Sequence, residues 1–256
     1  MKESKINILC LNCGASLLGK YCAECGQASV TGRMLFSRLF TQDFLSNIFN
    51  LDRGFFRSCI DLIVRPGELV KNYLAGQRKS YFHFAGLLLI LLTLDALLLG
   101  IAVNSEFTLI AQELDSSSDD SISLTGYERM YSFYKFILAL MTPILALIPY
   151  LLLRNLGYFY SEHVVIAWFY LATGALVSIL VRIMGALPLS TELYQAVSPV
   201  LAMLAAILTL RFYWKLSVYA NYKTWSRTLR VGVSSLANIL ISSSVPILIT
   251  WILSNY

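Results

Sequence analysis

The chain has 256 residues, of which 57% are hydrophobic and 14% charged, with 20 Lys and Arg against 15 Asp and Glu, and its mean hydropathy is +0.65. A water-soluble domain of this length builds its core without so apolar a composition, which sets aside an ordinary soluble enzyme and points to a bilayer. The residues before Tyr81 are polar or amphipathic, so no cleavable leader is expected there.

Two knuckles come first, Cys10-Leu-Asn-Cys13-Gly14 and Cys22-Ala-Glu-Cys25-Gly26. Two residues between thiolates let both sulfurs of a tight turn face one point, and two such turns close a tetrahedron of soft ligands suited to zinc. Iron in a rubredoxin-like site is the alternative, and a pair of disulfides is a third reading that the lack of a secretory leader disfavours. The glycine after each second cysteine suits a backbone turning sharply under the metal. Residues 15–21 are expected to form a small hairpin linking the knuckles, bent near Gly19. Residues 1–32 are thus predicted to be a zinc ribbon held by Cys10, Cys13, Cys22 and Cys25.

Residues 33–81 read as amphipathic interfacial helices. The first spans Met34 to Phe49, with apolar residues recurring at three- and four-residue steps. The second, Asp52 to Val64, is expected to set Phe55, Phe56, Cys59, Ile60 and Ile63 opposite Arg53, Arg57 and Asp61. The third opens at Pro66-Gly-Glu68 and closes at Gly76. Residues Gln77 to Tyr81 then supply basic and aromatic anchors at the bilayer edge. Two readings stand side by side: a platform on the inner leaflet held by apolar faces and anionic lipid headgroups, or helices that cap the cytoplasmic ends of the spans. Cys59, alone on an apolar face, reads as a buried thiol.

Residues 82–256 are predicted to be an all-α transmembrane bundle of five spans, near 82–103, 132–153, 164–184, 196–214 and 231–253. Eleven Lys and Arg against six acids precede the first span. The first loop, 104–131, carries Arg129 alone against six acids, and the fourth brings Lys215, Lys223, Arg227 and Arg230 with no acid. Basic loops stay cytoplasmic, so the amino terminus is expected inside and the carboxyl terminus in the periplasm of a bacterial inner membrane. Zinc thiolates need the same reducing compartment. Pro199 is expected in the first turn of the fourth span and Arg211 at its cytoplasmic edge, snorkelling to water. Pro143, Pro149 and Pro246 are candidate kinks.

The first hundred residues carry a more specific pattern: Cys10, Cys13, Cys22, Cys25, Gly26 and Gln27, then Asp52-Arg-Gly-Phe-Phe-Arg57, then Leu62, Pro66, Gly67, Tyr73, Gly76, Arg78 and Tyr81 before a hydrophobic span. In this the chain resembles the bacterial family called domain of unknown function 3667. The resemblance implies a multispanning membrane protein with an amino-terminal zinc ribbon, and it implies no activity. A proline soon after the final tyrosine is expected in the family, where this chain has Phe82-His83-Phe84.

Inside the spans, polar residues are few. Asp95 lies about fourteen residues into the first span, ~20 Å deep at ~1.5 Å per residue. A carboxylate there costs roughly 2.5 to 3.5 kcal/mol on insertion scales and needs a partner, for which Arg182 and Lys135 are the candidates. Ser235, Asn238 and Ser242 form a polar stripe on the fifth span, and Gly174 with Ser178 offers a small-residue packing contact on the third. The two histidines, His83 and His163, have no nucleophile or metal partner at usable spacing, so no enzyme is expected. Nucleic-acid binding is disfavoured by the few cations of the ribbon, Lys2, Lys5 and Lys20. The expected function is a protein-interaction or regulatory module, its ribbon engaging a cytoplasmic protein and its helices membrane lipid, with a homo-oligomer open. The alternative is a small transporter or channel using Asp95.

Overall fold

The computed structural model describes residues 9–34, 53–98, 134–185 and 191–254. Among them the chain is helical, apart from two isolated antiparallel bridges in the amino-terminal module, Leu9 with Ser16 and Tyr21 with Ala28. The helix expected over Met34 to Phe49, the acidic loop and the end of the first span lie outside the described residues.

Two short helices come first, α1 over Arg53–Val64 and α2 over Pro66–Leu74. Pro66 sits in the first turn of α2, where its fixed φ suits the helix and its missing N–H leaves nothing unsatisfied. Gly76 ends it with φ +110°, a conformation other residues rarely adopt. There the Gln77 N–H reaches back to the Asn72 carbonyl at 3.0 Å.

The faces of α1 differ from the periodicity reading. Asp61, expected on the polar side, is buried at 4% exposure, whereas Phe56 and Ile60 are 69% and 60% exposed. The carboxylate can be buried because Arg65 and Arg57 reach it at 3.0 and 3.7 Å. The buried side of α1 also carries Leu62 and Ser58, and the Ser58 hydroxyl accepts the Phe82 N–H at 2.9 Å. Tyr81, expected as a bilayer-edge anchor, is likewise buried. The Arg57 guanidinium lies over its ring, and its hydroxyl accepts from Asn72 at 3.3 Å.

Five stretches of longer helix follow: α3, Phe84–Leu98; α4 with α5, Tyr134–Leu140 and Thr142–Leu152; α6, Tyr160–Gly185; α7, Thr191–Ser217; and α8, Thr224–Ser254. Of these, residues 160–183 of α6 are long and apolar enough to cross a membrane, and α4 with α5 counts as a second such segment if the bent pair is one span. The bend between α4 and α5 is 53°. Pro143 has no N–H to offer the Ala139 carbonyl, and the Thr142 hydroxyl donates to that carbonyl instead at 2.8 Å. Trp168 of α6 then donates to the Thr142 oxygen at 2.6 Å, which pins the bend to its neighbour. Pro199 lies well inside α7, because the helix begins at Thr191 rather than near Ala196.

α2 is the centre of this arrangement. It packs against α7 and α6, with Leu69, Val70 and Tyr73 at 0–1% exposure, the burial of the two aliphatic side chains being worth on the order of 1.5 to 3 kcal/mol each. Tyr73 meets the Phe169 ring edge-on at 5.2 Å and Phe84 at 6.2 Å. A Cβ on Gly67 would stand 2.6 Å from the Lys215 carbonyl oxygen, so α2 and α7 cross with backbone almost touching backbone. Of the two sequence readings, α2 fits the cap on the ends of longer helices. Arg211, partly exposed, donates to the Ile63 and Val64 carbonyls at 2.8 and 2.7 Å and so caps the carboxyl end of α1.

Candidate metal centre

Each knuckle folds on its own hydrogen bonds, in the same pattern. Cys10 donates to Ala15 and accepts from Gly14, and Cys22 donates to Gln27 and accepts from Gly26, all at 2.8–2.9 Å. Gly14 and Gly26 have φ of +78° and +70°, which lets each turn close beneath its second cysteine. The antiparallel bridges lie across each knuckle rather than between the two, so the expected linking hairpin is absent and residues 17–20 form a bend-containing connection.

The four sulfurs converge. Cys10 and Cys25 are 3.5 Å apart, as are Cys13 and Cys22, and all four lie within 4.8 Å of one another. All are free thiols, which removes the disulfide reading. A tetrahedral ion with metal–sulfur bonds of about 2.3 Å requires sulfurs about 3.8 Å apart, so the donor set fits a single four-coordinate metal ion with little movement. Electrostatics point the same way. Burial opposes ionisation of Cys10, yet the Cys13 and Asn12 backbone N–H groups and the neighbouring thiols bring it down to about 7. At Cys13 the Ala15 N–H lowers the value, but burial and the crowding of Cys22, Cys25 and Cys10 prevail and push it to about 12. Four thiols in this space cannot all ionise without a cation among them.

The module is docked on the helical body. Gln27, buried at 6% exposure, donates through Nε2 to the Gly76 carbonyl at 2.8 Å. Its Oε1 accepts the Arg78 and Lys79 N–H groups at 3.1 and 3.2 Å. Asn12, inside the first knuckle, accepts the Ser80 N–H and hydroxyl at 3.0 and 2.9 Å. Arg78 donates to the Gly32 carbonyl. Beyond the module, Arg33 grips the buried Glu162 carboxylate at 2.6 and 3.1 Å and lies over the Phe159 ring at 3.6 Å. Glu162 also accepts the Phe159 N–H at 2.8 Å, capping the start of α6.

Asp95 is brought together with both candidate partners at once. It is 2% exposed, accepts from Arg182 Nε at 2.7 Å and is paired with Lys135 as well. Lys135 also donates to the Ser178 hydroxyl at 2.8 Å, so Ser178 is a polar ligand rather than a packing contact. A Cβ on Gly174 would meet nothing within 4 Å, and no close approach occurs there. On α8, Ser235 and Asn238 are fully buried together with Ser234, and Asn238 donates to the Tyr213 hydroxyl of α7 at 2.9 Å. Ser242 is half-buried.

A family model described as "Protein of unknown function (DUF3667)" matches residues 52–94, from the start of α1 into α3. No curated protein and no solved structure matches the chain.

Proposed function

Residues 52–94 belong to the domain of unknown function 3667 family, and from that premise we propose a bacterial inner-membrane protein of five spans whose cytoplasmic zinc ribbon recruits a soluble protein to the bundle. The spans are α3, α4 with α5, α6, α7 and α8, the amino terminus is cytoplasmic and the carboxyl terminus periplasmic. The observation that carries the membrane reading is the outward apolar surface. Leu97 of α3, Ile144 of α5, Leu180 of α6, Met203 of α7 and Leu240 of α8 are 52–65% exposed, so every span presents large apolar side chains to its surroundings. The charge of the loops supports the orientation.

The ribbon supplies the interaction module. Its Asn12 and Gln27 side is occupied by the body, whereas Leu18, between the knuckles, is 98% exposed and Tyr21 67% exposed. An exposed leucine and an aromatic on a small rigid support are the composition of a recognition anchor. Purification of the tagged full-length protein in mild detergent is expected to bring down a soluble protein in stoichiometric amount, lost in Leu18→Asp. A monodisperse bundle with no companion, enclosing a polar cavity around Asp95, would favour transport instead.

A further inference from the structure

Asn12 and Gln27 do more than dock the ribbon. Each follows one of the four cysteines by two residues, Asn12 inside the first knuckle and Gln27 just after the second, and between them they hold three consecutive backbone N–H groups, those of Arg78, Lys79 and Ser80. Those residues form the connection between α2 and Phe84, the first residue of α3. Leu11, also within the first knuckle, lies against Gly76 so closely that a Cβ there would stand 2.7 Å from its Cδ1.

We infer that the ribbon is a metal-dependent latch: an ion shared by the two knuckles sets Asn12 and Gln27 at the spacing that holds residues 76–80, and loss of the ion releases this lead-in to the first span. The inference rests on the four thiols binding a metal. Each knuckle by itself is a turn of a few residues. Among the described residues of the module only Cys10, Cys22, Gln27, Ser29 and Met34 are buried, too little core to fix one knuckle against the other. With the ion in place, Asn12 and Gln27 are preorganised as a pair. Without it, either amide must find its partners on the loop alone, and the ordering cost falls on the hydrogen bonds themselves. Just past the module, Arg33 also grips Glu162 of α6, so release would loosen the ribbon from one side of the body while the residue that follows it stays tethered to another.

Trypsin tests this directly, because it cuts after Arg78 and Lys79 only when that backbone is free to enter the protease. Full-length protein in detergent, kept reduced, is digested with and without a zinc chelator, and cutting at these two sites is scored against cutting at the exposed Lys223. The zinc-loaded protein is expected to resist at 78 and 79. Chelation should speed cutting there at least about tenfold, the effect of losing one net hydrogen bond, and added zinc should restore resistance. Gln27→Ala, with all four cysteines intact, should keep one zinc per chain by elemental analysis and yet be cut as the chelated protein is. If zinc is bound but neither chelation nor Gln27→Ala changes cutting at 78 and 79, the latch is wrong while the metal site stands. If the protein takes up no zinc at all, both are wrong.

Discussion

The side-chain amide of Gln27 donates to the main-chain carbonyl of Gly76 at 2.8 Å, across 49 residues of sequence. Gly76 stands at φ +110° with Leu11 packed over it, so the end of α2 and the ribbon share one residue. Gly76→Ala forces a side chain into the left-handed region and into Leu11 together. It is expected to cost ~1 to 3 kcal/mol and to lower the midpoint of thermal unfolding, measured in detergent. An unchanged midpoint would show that the ribbon does not rest on this turn.

Metal content gives the second prediction. Elemental analysis should find about one zinc per chain, and Cys22→Ser should lose it, since a three-thiolate remainder forfeits much of the ~10 to 16 kcal/mol that such sites supply. Bound iron with a rubredoxin-like visible spectrum would replace zinc with the alternative ion.

The Asp95 cluster gives the third. Because Arg182 and Lys135 both face the carboxylate, Asp95→Asn leaves two cations side by side, a larger disturbance than the loss of a single pair. A loss of ~3 to 5 kcal/mol is expected. Arg182→Gln made in the Asp95→Asn background should cost less than the same change in the wild type, since the two residues act as a unit. A stable Asp95→Asn protein that has lost a pH-dependent flux in reconstituted vesicles would assign Asp95 to transport.

Cys59 gives the fourth. Burial pushes its thiol from the ordinary 9.0 up to about 11, so the reactive thiolate is scarce at neutral pH. Maleimide labelling of the zinc-loaded protein at Cys59 should be slow at pH 7.5 and climb toward pH 11. The folded value lies above the unfolded one, so this residue leaves stability untouched below about pH 9 and erodes it as the pH rises toward about 11. Fast labelling at pH 7.5 would place Cys59 on an accessible surface.

Much of this was legible from one-dimensional signals. Pro66 and Gly76 mark the ends of α2 because each acts on its own φ, and the knuckles are visible because two-residue spacing forces the sulfurs together. Asp95 advertised its need for a cation by its depth in an apolar run. What escaped depends on which neighbours close over a residue, whether one turn away or across the fold. Asp61 looks exposed by periodicity, and only Arg57 and Arg65 closing over it make burial tolerable. Gly67 looks like part of a helix start, and only the approach of Lys215 in α7 explains why no side chain fits there. Gln27 carried a signal in its place after the second knuckle, but its partners lie in a loop that nothing in the spacing connects to the ribbon.

The five-span arrangement with the ribbon inside is tested most directly by topology reporters. Fusions after Tyr256 and within residues 116–121 should read as periplasmic, and a fusion at Lys223 as cytoplasmic. A cytoplasmic carboxyl terminus would contradict the arrangement and remove one of the helices, with the proline-containing α7 the first to go, from the count of spans.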